Sequence, residues 1–204
     1  MSGIKNIIFD LGGVLLDIDY NKTVSAFKEM GIERFEEMFS QLHADAVFEQ
    51  IETGHISDQE FHERIRALIP GPSSNEIIDS AWNAMILRFP KEKLEFLEEI
   101  SGRYKLFLLS NTNSIHLQYF RKIFTRDTGQ PTLDSYFSKT WYSHLVGMRK
   151  PGKEIYEFVL QDGNLAASET LFIDDTQPNI EAAMQSGIKT HWLLPGERIE
   201  ELGL

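Results

Sequence analysis

The 204-residue sequence contains no cysteine, which excludes disulfide bonds and thiolate metal sites. Basic residues are scarce, since 20 lysines and arginines stand against 31 aspartates and glutamates, and the formal net charge is −11. Binding of nucleic acid needs a basic surface, so this balance argues against a nucleic-acid partner. The sequence has no run of 18 apolar residues and no signal-peptide core at its N-terminus. We therefore expect a cytoplasmic protein with no membrane partner.

The acidic composition still allows a small anionic substrate, provided that positive charge is supplied locally. A lysine, a helix N-terminus or a bound cation could each supply it. Hydrophobic residues make up 42% of the chain and charged residues 25%, values that are ordinary for a globular protein. The length suits one sizeable core with room for a small accessory module. Nothing in the sequence indicates an oligomeric state.

Apolar runs of strand length alternate with stretches of helical periodicity. The runs are IKNIIFD (4–10), KLFLLSN (105–111), TLFIDD (170–175) and KTHWLL (189–194), with a weaker fifth in KTWYSH (139–144). Between them, stretches such as PKEKLEFLEEI place apolar residues on one helical face. Strands that alternate with helices are typical of parallel strands joined by crossovers. The pattern predicts an α/β fold built as a three-layer, doubly wound parallel sheet.

The segment that follows the first strand differs from the rest, because it carries helical patterns and no convincing strand. One of them, SDQEFHERIRALIPG, begins with Ser57 as a plausible N-cap and Glu60 as its capping-box partner. We predict a helical cap at residues 17–85, inserted into an α/β catalytic core formed by residues 1–16 and 86–204. Such an insertion could cover the mouth of the sheet.

Polar residues at the ends of the predicted strands form one candidate site. In open α/β sheets, ligands bind at the C-terminal ends of the strands. The residues expected there are Asp10, Ser110, Asn111, Asp174 and Asp175, joined by Lys150 just before a predicted helix. Each of these residues could instead have a purely structural role, since an acid after a strand often forms a turn or caps a helix. Carboxylates gathered at one edge repel unless a cation lies among them, and oxygen ligands favour Mg²⁺.

With magnesium present, this set of residues suits phosphoryl transfer. A carboxylate such as Asp10 can attack phosphorus and form an aspartyl-phosphate. The glycines after it allow backbone N–H groups to approach the phosphoryl oxygens closely. Lys150 can neutralise the transferring group, and the Ser110 hydroxyl can donate a hydrogen bond to it.

Four stretches of the chain resemble, in order, the four motifs of the haloacid dehalogenase (HAD) superfamily. They are IIFDLGG, LLSNTN, MRKP with Lys150, and FIDDTQPNI, and together they span residues 7 to 180. The resemblance implies a Rossmann-like core with a C1-type helical cap, and within the family it is strongest to the bacterial α-D-glucose-1-phosphate phosphatase subgroup.

The resemblance also implies roles for particular residues. Asp10 would be the nucleophile, and Mg²⁺ would be bound by the Asp10 carboxylate, the Gly12 carbonyl and Asp175. Asp174 would be a partner behind the ligands, although the two adjacent acids could exchange roles. Ser110, Asn111 and Lys150 would bind the substrate. The expected function is magnesium-dependent hydrolysis of a small phosphorylated metabolite, a sugar phosphate such as glucose 1-phosphate, through an aspartyl-phosphate.

Gly12 departs from the family pattern, because most family phosphatases carry an acid–base aspartate at this position. General acid–base help is worth roughly 10²–10⁴-fold, so its loss would slow turnover without abolishing it. Asp17 and Asp19 are possible substitutes, or they could cap the first helix of the insertion. The alternative function is a catalytically weak, phosphate- or metabolite-binding protein with a regulatory role. His43, Glu49 and Glu52 are candidates for contacting the rest of the substrate.

Overall fold

The computed structural model describes residues 3–41 and 43–204, so residues 1–2 of the predicted core and residue 42 of the predicted cap lie outside it. Its strands are β1 (Asn6–Phe9), β2 (Asp17–Ile18), β3 (Ile86–Arg88), β4 (Lys105–Ser110), β5 (Lys139–Tyr142), β6 (Thr170–Asp174) and β7 (Lys189–Trp192). Five of them form a parallel sheet in the order β5-β4-β1-β6-β7. These five lie within the predicted apolar runs, and the predicted α/β fold is confirmed.

The helices fill the intervals between the strands. They are α1 (Tyr20–Glu29), α2 (Phe35–Met38), α3 (Ala46–Glu52), α4 (Asp58–Arg66), α5 (Asn75–Asn83), α6 (Lys91–Ile100), α7 (Ser114–Thr128), α8 (Ser143–Val146), α9 (Lys153–Asp162) and α10 (Gln177–Gln185). Within the part of the chain that the structure describes, none of them has the length and apolar character needed to cross a bilayer.

The main sheet is the middle of three layers, because successive residues of each strand face opposite sides. Ile7 and Phe9 of β1 belong to a cluster that includes residues of α6 and α7. Ile8, between them in the chain, belongs to a second cluster with residues of α9 and α10. Both faces of the central strands are therefore buried, which explains why these strands read as continuous apolar runs.

The helices α1 to α5 form a helical segment, residues 20–83, that leaves the sheet after β2 and returns through β3. These two short strands pair antiparallel, with Asp17 opposite Arg88. Sequence patterns did not predict this pair, because two or three residues are too few to show a period. Residues 20–41 and 43–83 contain no strand, only an isolated bridge between Phe39 and Ala44. Ser57 caps α4 as predicted, accepting a hydrogen bond from the Glu60 N–H.

An aromatic cluster forms the core of the helical segment. Trp82 is fully buried among four phenylalanines, with ring centroids 4.6 to 6.5 Å away. Its other face stacks at 4.6 Å on His116, which belongs to α7. The same indole therefore holds the helical segment together and fixes it to a helix that flanks the sheet.

Replacing Phe48 by alanine is expected to lower the free energy of unfolding by about 3–5 kcal/mol, the usual cost of emptying a large aromatic site. Phe48 is fully buried and packs against Phe39 and Trp82 at 5.0 and 5.2 Å. Urea denaturation measures the change. As a control, Leu145→Ala removes a side chain that is 68% exposed and should change stability by less than about 0.5 kcal/mol. Equal losses in the two variants would contradict a packed aromatic core.

Candidate functional site

Lys150 lies at the centre of the site, with only 1% of its surface exposed. Its Nζ atom is 2.7 Å from Asp10 Oδ1 and 2.6 Å from Asp174 Oδ2. Asp10 follows β1, and its N–H donates to the Ile173 carbonyl, so it is held in line with the sheet. The ammonium group therefore joins the ends of two adjacent strands, β1 and β6, as the strand pattern predicts.

Asn111 holds the backbone of Lys150 in place. The Asn111 Nδ2 group donates to the Lys150 carbonyl at 2.8 Å, and the Lys150 N–H donates to Asn111 Oδ1 at 2.9 Å. Both ends of the amide are thus occupied by one residue of the loop before α9. That helix begins at Lys153 with Gly152 as N-cap, so Pro151 precedes it rather than starting it. Ser110, at the end of β4, is 3% exposed beside this pair.

The adjacent acids Asp174 and Asp175 have different surroundings. Asp174 is fully buried, and both of its carboxylate oxygens accept hydrogen bonds from Asn179 Nδ2 at 3.0 Å. The Thr176 N–H and Lys150 occupy its remaining acceptor positions. Asp175 instead borders an open cleft, where its carboxylate accepts a hydrogen bond from Gln41 Nε2 at 2.9 Å. Asp175 is thus the more accessible of the two.

The electrostatics of this cluster favour a bound cation. Carboxylate oxygens of Asp10, Asp174 and Asp175 lie within 4.8 Å of one another, and a single buried ammonium group, that of Lys150, faces two of these carboxylates. Burial raises the pKa of Asp10 to about 8, and the charges of the other two acids add to this while Lys150 opposes it. Burial also raises the pKa of Asp175. For Lys150, burial opposes the charged form, but the two aspartates outweigh it and raise its pKa. The all-oxygen donor set fits a hard divalent ion.

The structure requires glycine at only one of the two glycine positions, 12 and 13, that follow Asp10. Gly13 has a φ of +75°, a conformation that L-residues rarely adopt, and a Cβ on it would collide with the Asp175 carboxylate. Gly12 has no positive φ, and a Cβ there would lie 2.9 Å from the flexible end of Ile18. Only Gly13 is required by the backbone. The backbone conformation at Gly12 would therefore accept a side chain, provided that Ile18 shifts.

A cleft of about 270 Å³ opens above the carboxylates, between the sheet edge and the helical segment. The candidates predicted from the sequence, His43, Glu49 and Glu52, all line it. Sequence reasoning missed several further lining residues, among them the polar side chains of Tyr20, Gln41 and Arg149. Arg149 precedes Lys150 in the MRKP stretch, which was the only available signal for it. The other two lie at the start of α1 and in a loop, where no periodicity marks them.

Asp17 and Asp19 do not reach the cleft. Asp17 pairs with Arg88 and Lys93, each at 3.1 Å. Asp19 caps α1 by accepting a hydrogen bond from the Asn21 N–H. The capping alternative is therefore right for Asp19, and both carboxylates are engaged away from Asp10.

Replacing Lys150 by methionine is expected to lower the free energy of unfolding by about 3–5 kcal/mol, because Asp10 and Asp174 are then buried without a counter-charge. Urea denaturation in the presence of a chelator measures this. The matched control is Lys153→Met, since that lysine is 59% exposed and pairs with Glu157 within one helix. Its loss should cost less than about 0.5 kcal/mol. A similar small loss for both variants would mean that Lys150 does not neutralise the cluster.

Comparison with known proteins identifies the family. The model of the haloacid dehalogenase-like hydrolases matches residues 4–187. The chain is 33% identical over 187 residues to D-ribitol-5-phosphate phosphatase of Bacteroides thetaiotaomicron, covering 92% of this chain and 90% of that protein.

Solved structures agree with this assignment. A HAD family enzyme from Bacteroides thetaiotaomicron, in complex with magnesium and inorganic phosphate, superposes with a TM-score of 0.89 at 36% identity over 99% of this chain and 100% of the other. A predicted HAD-like family hydrolase from Porphyromonas gingivalis gives 0.85 at 31% identity, over 96% and 94%. The resemblance of the four motifs to the haloacid dehalogenase superfamily is confirmed, and the chain belongs to the haloacid dehalogenase-like hydrolases.

Proposed function

We propose that this protein is a magnesium-dependent phosphatase that hydrolyses small phosphomonoesters through an aspartyl-phosphate. The observation that carries the proposal is the group of three carboxylates around the buried Lys150, at the floor of a cleft open to solvent. Two relatives support it, one named a phosphatase and one described with magnesium and phosphate.

Asp10 is the proposed nucleophile. Lys150 engages its Oδ1 atom, which orients the carboxylate and leaves Oδ2 to attack phosphorus. The bond from Oδ2 to phosphorus forms while the bond to the leaving oxygen breaks. Water then attacks the same phosphorus, phosphate leaves, and the Asp10 carboxylate is regenerated. The buried ammonium group helps to neutralise the charge that develops on the phosphoryl oxygens.

The proposed magnesium ligands are the carboxylates of Asp10 and Asp175 and the carbonyl of Gly12. When bound, the ion would offset the excess negative charge of the site and of the phosphate. Asp174 is proposed to position the site from behind, since Asn179, Thr176 and Lys150 already occupy its oxygens. With its own oxygens fixed in this way, Asp174 would hold Lys150 in one orientation. Holding first-layer residues in place is the usual task of residues behind a metal site.

Ser110, Asn111 and Lys150 are the proposed phosphate-binding group, with different tasks. Lys150 can contact the phosphate directly. Asn111 acts through the Lys150 backbone, because both ends of its amide are bound there. Ser110 follows β4 next to Asn111, where its hydroxyl can donate to a phosphoryl oxygen.

A phosphorylated polyol or sugar is the proposed substrate class. Polar side chains of the helical segment line the cleft, and Tyr20, Gln41 and Glu49 offer hydrogen bonds to hydroxyl groups. We propose that residues 17–85 act as a cap domain over a core of residues 1–16 and 86–204, with β2 and β3 as the two crossings. Glucose 1-phosphate and ribitol 5-phosphate, the latter named for a relative, are the first two substrates to try.

Replacing Asp10 by asparagine is expected to abolish hydrolysis, because the amide cannot form the phosphoryl intermediate. A panel of phosphorylated sugars, polyols and nucleotides with added Mg²⁺ measures turnover by phosphate release, beside the melting temperature. Asp127→Asn is a control at a carboxylate beside Phe89, outside the cleft. Full turnover by Asp10→Asn would contradict the nucleophile. Binding of phosphorylated ligands without turnover by the native protein would favour a binding or regulatory protein instead.

Removing divalent metal with a chelator is expected to stop turnover, and Mg²⁺ should restore it. Replacing Asp175 by asparagine should raise the Mg²⁺ concentration for half-maximal rate by about tenfold or more, because one charged ligand is lost. Titration of the rate with Mg²⁺ measures this, and high Mg²⁺ should recover part of the activity. Turnover that is indifferent to chelator would contradict the metal requirement and would favour a dehalogenase-like reaction.

A further inference from the structure

The missing side chain at Gly12 leaves the site without its expected proton donor, and a small cavity lies beside it. This second cavity, of about 70 Å³, is lined by Gly12, Ser110, Asn111, Tyr20 and Glu52, among others. Glu52 and Gly12 also both line the larger cleft above Asp10. Glu52 and Gly12 therefore line the same two adjoining cavities.

Glu52 is a buried carboxyl group with an oxygen that accepts no hydrogen bond within the described part of the chain. Only 7% of the residue is exposed, and it is the last residue of α3. Its Oε2 atom forms an ion pair with Arg149 Nε at a distance of 3.0 Å. The geometry is not that of a hydrogen bond, and within the described part of the chain neither atom has a hydrogen bond partner. A buried acceptor without a donor is costly and needs an explanation. A proton shared with a substrate oxygen or a water would supply one.

The other acid–base and substrate-contact candidates named from the sequence are less suited to this task. Asp17 and Asp19 are bound elsewhere, as described above. Glu49 has a side chain that is 55% exposed, with its oxygen held by Arg149 Nη1 at 2.8 Å. His43 is also exposed and is paired with Asp45. Among these candidates, Glu52 alone combines burial, an oxygen that accepts no hydrogen bond within the described part of the chain, and a place in both cavities that Gly12 lines.

We propose that Glu52 supplies the acid–base function that is absent at Gly12, which rests on the proposed phosphatase function. The protonated carboxyl gives its proton to the leaving oxygen as the phosphorus–oxygen bond breaks and Asp10 becomes phosphorylated. The resulting carboxylate takes a proton from water as that water attacks phosphorus and the bond to Asp10 breaks. Alcohol and phosphate are released, and Glu52 ends the cycle protonated again.

The surroundings of Glu52 suit both halves of this cycle. Burial raises the pKa of Glu52, while the charge of Arg149 opposes it. A carboxylate at the C-terminal end of a helix is further disfavoured by the helix dipole, which also promotes the protonated form. Arg149 limits that shift, so the ionised form needed for the second step stays accessible. Acid–base catalysis requires a group that can both give and take a proton, and these opposing influences on Glu52 suit that task.

Comparison of two substrates in the variant Glu52→Gln tests the proposal. A polyol phosphate such as ribitol 5-phosphate has a poor leaving group, and its kcat/KM should fall by about 10²-fold or more. p-Nitrophenyl phosphate has a leaving group that needs no proton, so its kcat/KM should change little. Its kcat should still fall, with the phosphorylated enzyme accumulating, because water is no longer activated.

Glu60→Gln is the matched control, because Glu60 is a carboxylate of the same helical segment that pairs with an arginine, Arg64, outside both cavities. An equal, leaving-group-dependent loss in both variants would mean that the effect comes from a general disturbance of the helical segment and would overturn the proposal. An equal fall of kcat/KM for both substrates in Glu52→Gln would also overturn the proposal. If Glu52→Gln does not fold, Glu52→Asp replaces it, since a carboxyl withdrawn by one methylene should give the same pattern in weaker form.

Restoring a carboxyl at the gap provides an independent measurement. In Gly12→Asp the new Cβ would displace the flexible end of Ile18. In the Glu52→Gln background this substitution should recover about tenfold or more of the lost polyol phosphatase rate. No recovery in a folded, magnesium-binding double variant would contradict the shared role. Native protein that turns over neither substrate would contradict the proposed function and this inference together. Native turnover with an unaffected Glu52→Gln would contradict the inference alone.

Discussion

The contact on which the site depends is the buried ion pair network of Lys150 with Asp10 and Asp174. The three residues are far apart in the sequence, and each comes from a different segment that ends at the same edge of the sheet. Removing the ammonium would leave two buried carboxylates facing each other and a third nearby, at a cost of several kcal/mol. The position of β1 between β4 and β6 is what makes this meeting possible, because it brings the ends of three strands side by side.

Charge also explains why the site has an inner and an outer part. The inner carboxylate, Asp174, is saturated by donors from Asn179, Thr176 and Lys150, so it can remain buried. The outer pair, Asp10 and Asp175, has raised pKa values, which means that its negative charge is incompletely matched by the protein. A divalent cation would offset this charge, so that a phosphate dianion could be accommodated beside Lys150. The net charge of −11 is thus compatible with an anionic substrate because the positive charge is concentrated at one point.

The core of this arrangement could be predicted from the sequence, because strand ends are marked by an abrupt change from apolar to polar residues. Asp10 and Asp174 follow from that signal alone. Local patterns do not distinguish the surroundings of the two adjacent acids, since these depend on which one Asn179 reaches from α10; only the family resemblance indicated Asp175 as the metal ligand. The residues that line the cleft were still harder to predict from the sequence. Tyr20 and Gln41 reach the cleft only through the packing of the helical segment around Trp82, which local patterns do not encode.

The helical segment lines one side of the cleft, and it also carries the carboxyl group of Glu52, the proposed acid–base residue. Glu52 ends a helix whose buried face, Phe48 and Ile51, packs into the aromatic cluster. The position of its carboxyl group therefore depends on the same packing that fixes the segment to α7. In a protein with an aspartate at position 12, nucleophile and acid would lie on one rigid loop. With glycine there, the proposed nucleophile and the proposed acid lie on different parts of the fold, so their alignment depends on the packing of the helical segment against α7.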